Sequence, residues 1–141
     1  SLSAQANNAD APLRYLTLGL TFIQADETSD GFESNYVLDV LNTKADLLFG
    51  YRLAPQFLLD IRWSIQERNG GYFDPVEGSE VDFGLVNLLG TTLQWTPGSL
   101  PFSFHARIDN VLDAQYVDIG NVDQPGRWVR AGVTWTPQDK E

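Results

Sequence analysis

Apolar and polar residues alternate with a period of two along most of this chain, which is the pattern of β-strands whose two faces meet different surroundings. Each alternating segment has about the 9 to 11 residues that a tilted strand needs to cross a bilayer. A shorter stretch, "SLSAQA" at positions 1–6, fits the tail of a further strand. The pattern predicts an antiparallel all-β fold of about six strands plus a stub, with strands at 14–24, 43–52, 57–66, 85–95, 102–112 and 127–135.

The first segment illustrates the two faces. Leucines and a phenylalanine occupy one phase from Leu16 to Phe22, while Tyr15, Thr17 and Gly19 begin the other phase. The fourth segment departs from the pattern, because Asn87 falls in its apolar phase and Leu88 in its polar phase. The remaining polar phases are rich in charge and provide the candidates for a water-filled barrel interior: Lys44, Asp46, Asp60, Arg62, His105, Arg107, Asp109 and Arg130.

Alternation alone does not decide whether the apolar phase faces a protein core or lipid. The lengths of the connections favour lipid. Segments 53–56 and 96–101 are short, whereas 25–42, 67–84 and 113–126 are long, and the two kinds alternate strictly. Outer-membrane barrels have short turns on the periplasmic side and long loops outside the cell.

Aromatic residues of the apolar phase gather at the short-turn end of the strands. Their position predicts an aromatic girdle at one membrane interface. The alternative is that the same rings close one end of a soluble β-sandwich core. The residues are Tyr51, Phe57, Trp95, Phe102 and Trp135.

Composition excludes several classes of function. A chain of 141 residues has the length of one domain, and nine basic against nineteen acidic residues give a net charge of −10, which disfavours nucleic acid as a partner. The chain contains no cysteine, so it has neither a disulfide framework nor a thiolate metal site. No apolar run approaches the ~18 residues of a membrane helix.

Candidate chemistry is sparse. His105 is the only histidine, and Ser103 shares its strand face, but no third residue or oxyanion motif accompanies them, so we expect no enzyme activity. The oxygen-rich acidic loops suit Ca²⁺, yet they lack the regular ligand spacing of a calcium loop, and a solvated rim is the favoured interpretation. We expect no metal or other cofactor. Loop aromatics that are candidates for stacking on a ligand are Phe32, Tyr36, Tyr72 and Phe73.

The stretches "ARIDNVLDAQY" and "QPGRWVRAGVTW" resemble the closing strands of TonB-dependent outer-membrane receptors. The upstream stretches "LNTKADLLFGYRL" and "RWSIQERNGGYFDP" are similar to late strands of the same family, nearest its cobalamin-receptor-like branch. The resemblance covers nearly the whole chain. The residues that match the family motif are Asn110, Leu112, Asp113, Tyr116, Pro125, Gly126 and Arg127.

This resemblance implies that residues 1–141 form the C-terminal part of a transmembrane β-barrel of the 22-stranded type in the bacterial outer membrane. The plug domain and earlier strands would then lie on a second polypeptide or be absent. The implied function is uptake of a scarce nutrient, such as a cobalamin or an iron chelate, with a TonB-type periplasmic partner acting through the missing portion. A soluble or surface β-barrel that binds a ligand is the alternative from another class.

Overall fold

The computed structural model describes residues 1–5, 11–23, 41–74, 76, 78–118 and 122–137. These residues form strands and turns without a helix. Seven strands make one antiparallel sheet, in the order β1 (Leu2–Gln5), β2 (Leu13–Phe22), β3 (Leu41–Ala54), β4 (Phe57–Arg68), β7 (Leu85–Trp95), β8 (Phe102–Asp109) and β11 (Trp128–Trp135). Two small antiparallel ribbons pair β5 (Gly71–Asp74) with β6 (Ser79–Asp82), and β9 (Val117–Asp118) with β10 (Val122–Asp123).

The prediction of an antiparallel all-β fold is confirmed. All six predicted strands are present, and the predicted stub forms β1, which pairs with β2 so that Leu2 lies opposite Leu18. Several predicted ends are wrong, however. β3 and β4 extend to 14 and 12 residues, and the fifth predicted strand stops at Asp109 instead of 112 because Asn110 has a φ of 50° and turns the chain.

The sheet is a meander with two unlike rims. At the short rim, Pro55 and Gln56 form the turn between β3 and β4, and residues 96–101 connect β7 to β8. At the opposite, long rim, the two ribbons occupy the connections from β4 to β7 and from β8 to β11. The sequence predicted these long connections but did not predict that they contain strands of their own.

The two faces of the sheet follow from the register. Gly50 lies opposite both Tyr15 and Asp60, whereas the next residue back, Phe49, lies opposite Leu16 and Ile61. Directly opposed residues point to the same side of a sheet. Every strand therefore contributes its polar phase to one side, the polar face, and its apolar phase to the other, the apolar face.

The described residues build a single layer without an apolar core. Val86, 8% exposed, and Pro97 are the only buried residues among them with an apolar side chain, and none of their side chains is fully buried. On the apolar face Leu18, Leu20 and Phe22 are 47%, 67% and 73% exposed. The sheet is also open, since β1 and β11 are its edges rather than neighbours. A globular domain buries its apolar surface between two layers, and the described residues supply one.

Candidate functional site

The charged residues predicted for a barrel interior all lie on the polar face. Asp46 is opposite Ser64, and Asp60 is opposite Thr92. On the later strands, Arg107 is opposite Thr92 on one side and Arg130 on the other. The structure thus brings together the complete predicted set: Lys44, Asp46, Asp60, Arg62, His105, Arg107, Asp109 and Arg130.

A tyrosine reaches across one strand on this face. The Tyr15 hydroxyl on β2 donates a hydrogen bond to the Asp60 carboxylate on β4. Gly50 on β3 lies between them in the register, and a Cβ placed there would be 2.7 Å from the Tyr15 Cζ. The contact is possible because Gly50 has no side chain. The alternation pattern of the sequence does not predict this contact.

Two arginines share one carboxylate at the long-rim end of β8. Arg107 donates to Asp109 Oδ1 from Nε and Nη2 at 2.8 and 2.6 Å, and Arg130 on β11 donates to Oδ2 at 2.6 Å. The Arg130 guanidinium also lies 5.6 Å from the centre of the Trp128 ring, within the range of a cation–π contact. The group has two positive charges and one negative charge.

A second pair joins Lys44 Nζ to Asp46 Oδ1 at 3.2 Å. Both partners lie on β3, so this pair links positions along one strand. Among these pairs, only Arg130 with Asp109 joins neighbouring strands. Within the part of the chain that the structure describes, the guanidinium of Arg62 has neither a hydrogen bond nor an ion pair.

A cleft of about 390 Å³ opens between the polar face and the connection that follows β8. One wall consists of sheet residues, including Trp128 of β11, and the other consists of residues 116 and 124–126 of the connection. The side chains that matter chemically in this lining are Lys44, Asp46, Arg62, Ser64, Gln66, Arg107, Asp109, Tyr116 and Trp128.

The connection is anchored by Asn110, which is 9% exposed. Asn110 exchanges two side-chain hydrogen bonds with the backbone of Ala114, each of 2.9 Å. It also lines the cleft. Its amide therefore satisfies the backbone of the turn that replaces the predicted end of the fifth strand.

Asp113 and Arg127 fasten the other end of this connection. The Arg127 amide donates to Asp113 Oδ1 at 2.7 Å, and its guanidinium Nε donates to the Val111 carbonyl at 3.1 Å. A Cβ on Gly126 would lie 2.5 Å from Asp113 Oδ1, so this position requires glycine for the close approach. Tyr116 and Pro125 line the cleft. Asn110, Asp113, Gly126 and Arg127, four of the residues noted for the resemblance, thus form a structural clamp on this connection.

His105 is exposed on the polar face and lies over Gly132 of β11, where an added Cβ would be 2.5 Å from Nε2. Ser103 lies opposite Thr134. Among the described residues, no hydrogen bond connects Ser103 with His105.

The five residues predicted as an aromatic girdle lie at the short rim. Phe57 and Trp95 are opposed in the register and stack with ring centres 6.1 Å apart. Trp95 also stacks on Phe104 at 5.2 Å, and Phe102 is opposite Trp135. The girdle residues are all exposed: Tyr51, Phe57, Trp95, Phe102 and Trp135.

Of the loop aromatics, Tyr72 and Phe73 belong to β5, while Phe32 and Tyr36 lie outside the described residues. The Tyr72 ring packs against Phe83 at 5.6 Å, at the base of the ribbon, whereas Phe73 is 56% exposed. Tyr72 therefore pins the ribbon, and Phe73 is the one of this described pair that is open to a ligand. No group of three acidic or histidine side chains suited to a metal ion occurs in the described ranges.

Asn87, the polar residue in the apolar phase of β7, has a partner on the neighbouring strand β4. Trp63 Nε1 donates to Asn87 Oδ1 at 2.6 Å on the apolar face. The signal in the sequence was a tryptophan and an asparagine in the same phase of adjacent strands. Without the register, that signal does not identify the pair.

No protein-family model matches this chain, and comparisons with curated proteins and with solved structures find no similar protein. In the described residues there is no helix that is both long and apolar enough to cross a bilayer.

Proposed function

We propose that this chain is a transmembrane segment of an outer-membrane β-barrel, with its apolar face toward lipid and its polar face toward a water-filled interior. The observation that carries the proposal is the exposed apolar face of a single-layer sheet. In water, such a face would be an extended apolar surface with nothing packed against it. In a bilayer the same face is solvated by acyl chains.

The lengths of the strands and the positions of the aromatic residues support a sheet that spans the membrane. The six long strands have 8 to 14 residues, a range that includes the roughly 9 to 11 needed to span a membrane at a tilt. The exposed aromatic residues at the short rim would then lie at a membrane interface, which such rings prefer. The short rim would then be the periplasmic side, and the two ribbons would lie outside the cell.

The particular barrel that we propose is that of a TonB-dependent receptor for a scarce nutrient, on the strength of the motif from Asn110 to Arg127. The clamp gives these residues a shared structural task, which accounts for their occurring together. The wall of the cleft would provide part of the ligand path through the interior. In this role the chain binds and transports, and none of its side chains is a catalyst.

Membrane extraction tests the proposal. The chain, in membranes of the cells that produce it, should remain in the membrane pellet after alkaline carbonate washing and should need detergent to become monodisperse. The physical reason is that carbonate removes proteins held by charge but leaves those whose apolar surface is in lipid. A chain that is monodisperse without detergent would refute the membrane proposal and favour a soluble ligand-binding module.

A further inference from the structure

The cleft differs in charge from the rest of the chain. Its lining has three basic side chains, Lys44, Arg62 and Arg107, against the two carboxylates Asp46 and Asp109, in a chain whose net charge is −10. Both carboxylates are already paired, Asp46 with Lys44 and Asp109 with Arg107 and Arg130. The positive charge of Arg62 is therefore left uncompensated within the cleft.

Two polar groups in the cleft wall lack partners. The Arg62 guanidinium makes no hydrogen bond or ion pair in the described part of the chain, and the buried hydroxyl of Ser64, two positions along the same strand face, has no hydrogen-bond partner. Buried polar atoms in proteins are nearly always satisfied. Arg62 is exposed, so its guanidinium is open to an incoming acceptor, and the same acceptor would satisfy the buried Ser64 hydroxyl after a change of the Ser64 rotamer.

The opposite wall of the cleft is preformed. Asn110, Asp113 and Arg127 fix the connection that carries Tyr116 and leads into Trp128 at the start of β11. A ligand that enters between these walls orders few additional groups, so less of its binding free energy is lost to ordering. The volume of about 390 Å³ is within the range of small-molecule sites.

We propose that this cleft binds a small organic oxyanion, and that Arg62 holds its carboxylate or phosphate group. The planar guanidinium offers two parallel N–H donors, which match either group. The inference rests on the proposed function in one respect: the polar face must be open to water, as it is in a barrel interior.

Calorimetric titration with citrate and with inorganic phosphate tests the site, using the chain as purified from membranes in a phosphate-free detergent. Citrate tests for binding of a carboxylate, inorganic phosphate tests for binding of a phosphate group, and triethyl citrate is the uncharged control. We expect at least one of the two anions to bind and triethyl citrate not to bind. Arg62→Gln should weaken binding about tenfold or more, because it removes charge-assisted hydrogen bonds, and Arg62→Lys should restore part of the affinity.

The matched control is Arg52→Gln. Arg52 lies on the polar face, as Arg62 does, but on β3 near the short rim and outside the cleft lining, so the variant removes one positive charge away from the cleft. Equal losses in the Arg52 and Arg62 variants would mean attraction by overall charge and would overturn the site. Absence of binding by both anions would overturn it as well. If Arg62→Gln fails to fold, modification of the wild-type chain by phenylglyoxal, mapped by mass spectrometry, replaces it: bound anion should protect Arg62 and leave Arg52 reactive.

The two proposals fail in different ways. A chain that resists carbonate extraction but binds neither anion overturns the cleft inference alone. A chain that is monodisperse without detergent and binds citrate through Arg62 overturns the membrane proposal alone. A chain that binds an acidic peptide through Arg62 but neither small anion would show a protein-docking surface and overturn the small-molecule site.

Discussion

Tyr15 and Asp60 meet because the residue between them in the sheet has no side chain. The aromatic ring lies over Gly50 and fills the space that a Cβ would occupy. His105 on β8 covers Gly132 of β11 in the same way on the same face. Cross-strand cover of this kind shields a glycine backbone and offsets the weakness of glycine in a strand.

Substitution of Gly50 by alanine should therefore destabilise the fold. The new methyl group displaces the Tyr15 ring and separates its hydroxyl from Asp60, with an expected loss of about 1 to 3 kcal/mol in the free energy of unfolding. Urea unfolding in detergent, followed by tryptophan fluorescence, measures the change. Gly98→Ala is the control, because a Cβ at Gly98 meets no atom within 4 Å. Equal stability of the two variants would contradict the packing described for Tyr15.

The clamp gives a second prediction at this scale. Asp113→Ala removes the acceptor of the Arg127 amide, so hydrogen exchange of that amide should accelerate while exchange in the centre of β11 stays slow. The expected loss of stability is about 1 kcal/mol, as for a single hydrogen bond. Asp123→Ala, on the exposed ribbon strand β10, should leave exchange at Arg127 unchanged. Unaltered exchange in the Asp113 variant would show that this carboxylate does not hold the connection.

At the scale of the elements, the alternation of the sequence predicted every long strand because each strand places its two phases in different surroundings. The ends of the strands were less predictable. Asn110 ends β8 through a positive φ and two hydrogen bonds to Ala114, and neither is visible in a hydropathy pattern. The site was predicted only as a set of charged residues on one face. Their pairing depends on the register across strands, which a single sequence does not specify.

Strand β2 provides a test of which face meets lipid. Leu18→Arg should reduce the stability of the membrane-inserted protein by about 2 to 4 kcal/mol if Leu18 is near the bilayer midplane, whereas Thr17→Arg on the polar face should cause a much smaller change. Urea titration in lipid vesicles measures both. If the sheet were instead in water, Leu18→Arg would change the stability little, because Leu18 is already 47% exposed. Equal effects of the two substitutions would argue against a lipid-facing apolar side.

At the scale of the whole molecule, the open edges are the dominant feature. The outer sides of β1 and β11 have no neighbouring strand among the described residues. In hydrocarbon, each unsatisfied backbone group costs several kcal/mol. Water can satisfy the groups at an edge of a soluble sheet, but a bilayer cannot, so the membrane proposal requires that other strands complete the sheet.

We therefore expect the folded chain to be isolated with a second polypeptide that supplies further strands. Native mass spectrometry from detergent should give a mass above the 15.7 kDa of this chain, and a photoactivatable cross-linker attached to a cysteine introduced in β11 should capture the added strand. Since the chain has no cysteine of its own, the cross-links would be unambiguous. A folded species at 15.7 kDa alone would contradict this expectation. A mass at a whole multiple of 15.7 kDa would instead mean a homo-oligomer, in which copies of the same chain supply the further strands.

The meander has a mechanical consequence. Among the described residues, backbone pairing joins each long strand only to its neighbours in the sheet, and all of these neighbours are adjacent among the long strands in chain order. Under force, the sheet should therefore fail one strand pair at a time, as repeat proteins do, and not through the loss of one shared core. A pull applied to the two ends should peel strands away one at a time, beginning with the four-residue junction between β1 and β2, and should produce a staircase of small force peaks.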